Sequence, residues 1–373
     1  MEKIVAVVIC GLVALSAAGR PAAATNRDDL LRRASHLSGL PVRRVVPEEV
    51  LASARYDAAL LQATDREYPR SLRTIDTALY ARLGLMPRNL RAQLAPDARV
   101  SRAWYDSAAR RLLLRRTPTA ERTRVVNELV RALVDQNFNL RRITGLRVRD
   151  RDRALAARSI VDGTAALASG VTASPVQGPP LERFLQFESG LGPGKALAKE
   201  LRYLGGSRAL ASALRLFPQT TEQLLHIDKF LERERALPVR LPTRIGDWKL
   251  SASETFGELD VRSLLRAFSV PNAVPTAAGW GGGRVGLYVS PTGQTTAVLA
   301  LRWDTIDDAV EWRDAVTHYV GAAFPGATAR DCPPLDRCWS STWDVASGVL
   351  GTTSVFASGR ASDTIAAAVF TQK

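Results

Sequence analysis

Histidine is nearly missing from this 373-residue chain: His36, His226 and His318 are the only three, and none has a partner at metal-ligand spacing. That excludes a histidine-rich metal centre. It also leaves no base to complete a Ser-His-Asp triad, however many serines there are. Cysteine is equally sparse. Cys10, Cys332 and Cys338 are too few for a four-cysteine zinc site or a disulfide-built scaffold. Lysine is scarce too, so the formal charge of +14 rests mostly on arginine, most densely over 99–158. Such a surface favours anionic partners: wall polymers, lipid headgroups or nucleic acid. No aromatic residues interleave with the basic stretch as they do in single-strand binders. The same charge also reads as arginine-biased composition on a solvated surface. The one long apolar run, 4–18, is short for a membrane span, which needs about 20 residues.

That run has a different use. Met1, Glu2 and Lys3 precede it and Ala22, Ala23 and Ala24 follow it, the layout of a secretory signal peptide over 1–24. A retained membrane anchor is the alternative. Export implies a secreted or extracytoplasmic location and makes nucleic acid the least natural partner. In that setting Cys332 and Cys338 are expected to form a short-loop disulfide, with two reduced thiols as the alternative. About 350 mature residues suggest two domains. The proline-bearing stretch 237–242 places them over 25–240 and 245–373. The expected fold class is α+β: a mainly helical first domain with a small hairpin, then a smaller α+β sheet domain.

Within the first domain, Val125, Val126, Leu129, Val130 and Leu133 recur at helical spacing, behind a start signal at Thr117 and Pro118. Asn127 and Arg131 are four apart and share a face, with Glu128 beside them. In HExxH, histidines at those two positions bind zinc and the glutamate activates water. Here the string is NELVR. By itself it also reads as an ordinary amphipathic helix, with Arg124, Glu128, Arg131 and Asp135 pairing along its solvent face.

The run NELVRALVDQNFNL over 127–140 resembles the HELxHALQDQxFxL segment of a family of secreted bacterial zinc metallopeptidases of the zincin type. Other blocks agree in order. AWYD at 103–106 and RLLL at 111–114 resemble its tyrosine-aspartate turn and following strand. SIVDGTA at 159–165 resembles its ALVEGxA helix. TEQLLH at 221–226, then Lys229, Phe230 and Leu231, resemble its TEQxLHPxKY block. Gly257–Glu258, residues 278–282 and residues 303–305 resemble C-terminal landmarks, so the likeness spans about 40–320. The resemblance implies a zincin fold whose hairpin lines a cleft ahead of the metal helix. It also implies metal-ligand positions at Asn127, Arg131 and Asp162, a general base at Glu128, and Tyr105, Glu222 and His226 in the cleft; His226 also reads as a satisfied structural histidine.

The departures fall on the chemistry. An asparagine amide is a poor zinc ligand, and a guanidinium offers no lone pair and repels a cation. Asp162 is one methylene shorter than the glutamate it replaces. The expectation is therefore a catalytically inactive metallopeptidase homologue with no cofactor, Glu128 a vestigial base. It would act as a binding or regulatory scaffold for a peptide, a protein or an anionic cell-envelope component. Arg131 is expected to stand in for the metal, held between Glu128 and Asp162. The alternatives are an active zinc metallopeptidase using Glu128, Asp162 and His226, and an arginine-rich cell-envelope binding protein.

Elsewhere the pattern predicts a flexible lead over 25–40, a short strand at 43–46 and a helix over 47–64. Residues 141–153 read as a charged connector, 196–204 and 208–216 as helices parted by Gly205 and Gly206, and 279–283 as a glycine-rich turn. A hairpin is expected at 284–289 with 295–303, a helix at 305–323, and a last hairpin at 354–357 with 364–370.

Overall fold

The structure, a computed structural model, describes residues 27–87, 102–116, 122–173, 175–340 and 344–371. The signal-peptide stretch, Cys10, Thr117 and Pro118 lie outside them. The fold is α+β. Its first half runs α1 (Arg27–Ser38), β1 (Glu48–Leu51), α2 (Ser53–Glu67), α3 (Arg70–Arg82), β2 (Ala103–Asp106), β3 (Arg111–Arg115) and α4 (Arg122–Phe138). It continues through α5 (Leu146–Arg149), α6 (Arg151–Ser169), α7 (Pro180–Glu188), α8 (Leu191–Arg215), α9 (Thr221–Leu225) and α10 (Ile227–Glu232). The three strands make one small sheet in the order β1-β3-β2, β1 parallel and β2 antiparallel to β3.

The second half runs β4 (Arg244–Ile245), β5 (Trp248–Thr255), α11 (Glu258–Ala267), α12 (Ala273–Ala278), β6 (Trp280–Val289), β7 (Thr295–Trp303) and α13 (Ile306–Ala323). Then come β8 (Thr328–Cys332), β9 (Leu335–Ser340), β10 (Val345–Leu350), β11 (Thr353–Gly359) and α14 (Ser362–Phe370). All eight strands form one antiparallel sheet in the order β4-β5-β6-β7-β11-β10-β9-β8. Strand alternation splits its side chains between two faces. Val285, Leu287, Leu299, Leu301 and Phe356 pack with α11 and α13; Tyr288, Val298, Ala300, Val355 and Ala357 pack with α14. Thr305 and Asp308 close a capping box at the start of α13. Cys332 and Cys338 are disulfide-bonded across the β8–β9 hairpin.

The two halves share a core. Leu79, Tyr80 and Leu83 of α3 and Leu181, Phe184 and Leu185 of α7 belong to the same buried cluster as the α13 face of the large sheet. The open carbonyls at the end of α3 are satisfied from the second half: Tyr319 Oη donates to Leu83 O (2.6 Å) and Ser358 Oγ to Arg82 O (2.6 Å).

The connection over 237–242 lies along β6. Leu237 N–H donates to Gly281 O at 2.7 Å, and a Cβ at Gly282 would stand 2.2 Å from Leu237 O. Residues 280–283 are thus the first part of a strand rather than a turn. Their glycines are there because a second backbone approaches too closely for side chains.

Other expectations need correction. The lead is helix α1: Leu30 and Ala34 sit at helical spacing and bury against the α4–α6 core, a stripe obscured by its arginines. The strand falls at Glu48–Leu51 instead of 43–46, because Pro47 O accepts Leu112 N–H (2.8 Å) and starts the pairing with β3. The helix after it begins only at Ser53. The charged connector contains a 3-10 turn (Leu140–Arg142), α5 and the first turn of α6. The last segment is no hairpin strand but α14, where Ile365 and Ala366 bury on the sheet and an alanine run favours helix. No helix among the described residues is long and apolar enough to cross a membrane.

Candidate functional site

The site forms where α6 crosses α4. Helix α4 is a core element: Val130, Leu133 and Val134 are fully buried. Its polar residues Asn127, Glu128, Arg131 and Asp135 fall at i, i+1, i+4 and i+8 and so make one strip. Asp162 meets that strip from α6. Arg131 Nη1 stands 3.2 Å from Asp162 Oδ1, and its Nε is 3.9 Å from Glu128 Oε2. The side chains of Arg131 and Asp162 are 26% and 25% exposed, that of Glu128 only 7%.

Strand β2 completes the site. Tyr105 N–H, on the outer edge of the small sheet, donates to Glu128 Oε2 at 2.9 Å. Its phenol donates to Asp135 Oδ2 at 2.7 Å, and Asp135 Oδ1 accepts Leu140 N–H at 2.7 Å. Burial raises the Tyr105 phenol pKa, helped by Asp135, so it stays protonated. Burial likewise pushes the Glu128 carboxyl up, while Arg131 and the Tyr105 N–H pull it back. Burial opposes the charge on Arg131, but Asp162 and Glu128 outweigh it and hold the guanidinium firmly protonated. Asn127 is turned to α6, its side-chain amide hydrogen-bonded with Ser169 Oγ (3.1 Å).

The position of Asp162 is fixed by its neighbour Gly163, which lies directly on Gly194 of α8. A Cβ at Gly163 would stand 2.0 Å from the Gly194 carbonyl carbon, and one at Gly194 only 1.8 Å from Ser159 O. Backbone therefore touches backbone at this crossing.

Arg131 and Asp162 form a wall common to two hollows. The larger, about 250 Å³, is walled by Leu60, Ala63, Trp104, Arg158 and Leu185; a recess of about 60 Å³ opens beside Tyr105 and Ile143. Arg158 ion-pairs with Glu67 at the rim of both. The far wall of the larger hollow is a buried ionic network. Arg147 meets Asp76 (2.6 Å) and Glu254 (3.0 Å); Arg151 meets Glu188 and, at 2.8 Å, Asp260. Four carboxylates thus surround two guanidiniums.

Glu222 and His226 line neither hollow. They lie at α9, where Lys229 Nζ holds Glu222 (2.5 Å), Asp304 (2.7 Å) and Glu234 (3.3 Å), and His226 Nε2 pairs with Glu258 at 2.9 Å. Among the described residues the one group of three acidic or histidine ligand atoms close enough to share a metal is Glu222, Glu234 and Asp304. An ammonium already bridges that group, and Glu128, Asp162 and His226 do not converge. The sequence marks Lys229 only as part of the block after TEQLLH, and it places Arg147 and Arg151 in a connector. The alternating string RVRDRDR over 147–153 was the available signal, since a solvated connector has no need of alternating charge.

These groups give a pH dependence of stability. Burial pushes Asp152 to about 8, although Thr221 hydrogen bonds oppose it, and pushes Glu222 to about 7 against the pull of Lys229. Glu188 and Asp260 shift upward for the same reason. The folded chain therefore binds more protons than the unfolded one from about pH 4 to 8, and stability falls as pH rises through that window. His226, raised by its Glu258 hydrogen bond, acts in the same sense. Thermal unfolding followed by circular dichroism should give a melting temperature on the order of 5 °C higher at pH 5.5 than at pH 8.5.

Together the fold and site describe an α+β protein with a half-buried arginine–carboxylate cluster at the wall of a cleft. Residues 244–369 match the model of a domain of unknown function (DUF8575). That segment carries the large sheet and α11 to α14, and none of the cleft helices. Neither a search of curated proteins nor one of solved structures returned a match.

Proposed function

We propose that the chain is an exported, catalytically inactive relative of zincin metallopeptidases that serves as a binding scaffold. One observation carries this reading: the guanidinium of Arg131 lies against both Glu128 and Asp162, where the family resemblance puts a metal. The residues do not fit zinc. The position of the first histidine is an amide bonded to Ser169, that of the second is a fixed cation, and the base Glu128 is engaged by Tyr105 N–H. The cleft of about 250 Å³ is still large enough for a side chain or short segment of a partner, with Leu60, Ala63 and Trp104 offering apolar contact. The Cys332–Cys338 bond suits an oxidising compartment, in keeping with export.

The test is the zinc content of the purified, exported protein. Less than about a tenth of an equivalent is expected, because structural or catalytic zinc normally survives purification. A full equivalent would refute the reading and return attention to a working peptidase. A second expectation concerns Arg131→Ala. It strands one buried and one half-buried carboxylate and should destabilise the protein by roughly 2–3 kcal/mol, less than a fully buried pair because a quarter of the site is wet. Chemical denaturation would measure it, and an unchanged midpoint would mean that Arg131 holds nothing together.

A further inference from the structure

A third hollow shares only Ile143 with the recess beside the cleft. It encloses about 410 Å³, a ligand-sized volume, and Arg142, Arg153 and Arg233 line it together with Phe217, Leu146 and Ile143. None of the described lining residues is acidic. Among the described residues no carboxylate ion-pairs with any of the three arginines, although nearly every other arginine near the cleft has such a partner.

Two of the guanidiniums are held in place. Arg142 Nη2 donates to Arg215 O at 2.8 Å and its guanidinium lies over the Phe217 ring, 5.2 Å from the centroid. Arg233 Nη1 donates to Leu216 O at 2.9 Å and its guanidinium lies over Phe230 at 4.6 Å. The end of α8 thus serves as a mount: its last carbonyls take one fork of each guanidinium, and Arg142 Nη1 also donates to Phe138 O at 3.4 Å. Arg153, in the first turn of α6, is exposed and makes no side-chain hydrogen bond among the described residues. Three like charges around one concavity repel one another, and a multivalent anion seated among them would reverse that energy.

We propose that this pocket binds a phosphate-bearing anion. Guanidinium forks match phosphate oxygens in pairs, and the apolar floor of Leu146, Ile143 and Phe217 would take the neighbouring non-ionic part of the ligand. The site is independent of the cleft and of the metallopeptidase reading. The anion has two possible sources, a soluble phosphate ester or a lipid headgroup.

The test uses the full exported chain and two probes, pyrophosphate in solution and vesicles of phosphatidylglycerol against phosphatidylcholine. Arg153→Gln changes an exposed side chain and leaves the helix mounts intact; Arg337→Gln, at an exposed position of β9, removes the same charge elsewhere. Saturable pyrophosphate binding that weakens about tenfold in Arg153→Gln and hardly at all in Arg337→Gln supports a soluble ester. The same variant pattern seen only with phosphatidylglycerol vesicles supports a headgroup. Equal weakening in both variants would mean that net charge alone binds anions, and absence of saturable binding to either probe would likewise overturn the pocket.

Discussion

Replacing Arg151 by alanine should destabilise the protein by about 3–5 kcal/mol and lower its melting temperature by roughly 10 °C. The side chain is 5% exposed and its carboxylate partner Asp260 is fully buried. Glu188 is a second partner, Glu254 lies 3.9 Å away, and the Tyr80 phenol is 3.3 Å away. Removing the cation leaves these groups with Arg147 alone, in a region that already holds more carboxylates than guanidiniums. Two controls separate this account from simple loss of packing. Asp260→Asn in the same chain should recover part of the loss, and the deficit should shrink at pH 5.5, where protonation removes the stranded charge. A loss that is equal at pH 5.5 and pH 8.5 would assign the effect to volume.

The second large effect is expected from a single methyl group. Gly163→Ala or Gly194→Ala places a Cβ about 2 Å from the backbone of the facing helix, where no side chain can move aside. Overpacking usually costs about 1–3 kcal/mol. Here α6 and α8 themselves must separate, so a loss at or above the top of that range is expected, with reduced yield of folded protein. Ser159→Ala at the same crossing should be neutral or stabilising, because its buried hydroxyl has no hydrogen-bond partner among the described residues. Urea midpoints of the three variants would decide between this ordering and a helix pair that slides freely.

These two regions mark what the sequence makes legible. Periodicity locates α4 and α13 well, because each has apolar residues at helical spacing. The pairing of Arg131 with Asp162 follows from reading two spaced motifs as one site. The glycines at 163 and 194 carry no such message, since a residue without a side chain leaves no period; only the facing helix shows why they are glycine. Arg147 and Arg151 mislead in another way. A string of charges suggests water, yet both are buried because acids from α3, α7, β5 and α11 come to meet them, which is long-range information. Helix α14 is mistaken for a strand because short apolar runs fit both periods. Glu222 and His226 pair with Lys229 and Glu258, partners that the sequence string alone does not reveal.

The strap over 237–242 bears on how the chain can be divided. Leu237 and Leu241 lie where Gly282 and Gly286 leave room, and Tyr288 Oη donates to Pro242 O at 2.7 Å. The opposite face of the sheet is closed by Leu79, Tyr80 and Phe184 from the first half. The matched segment 244–369 is thus packed on both faces of its sheet by residues that lie outside it. Expressed from residue 244 onward, it would open apolar sheet to water on both sides at once, and self-association would be the natural way to cover it.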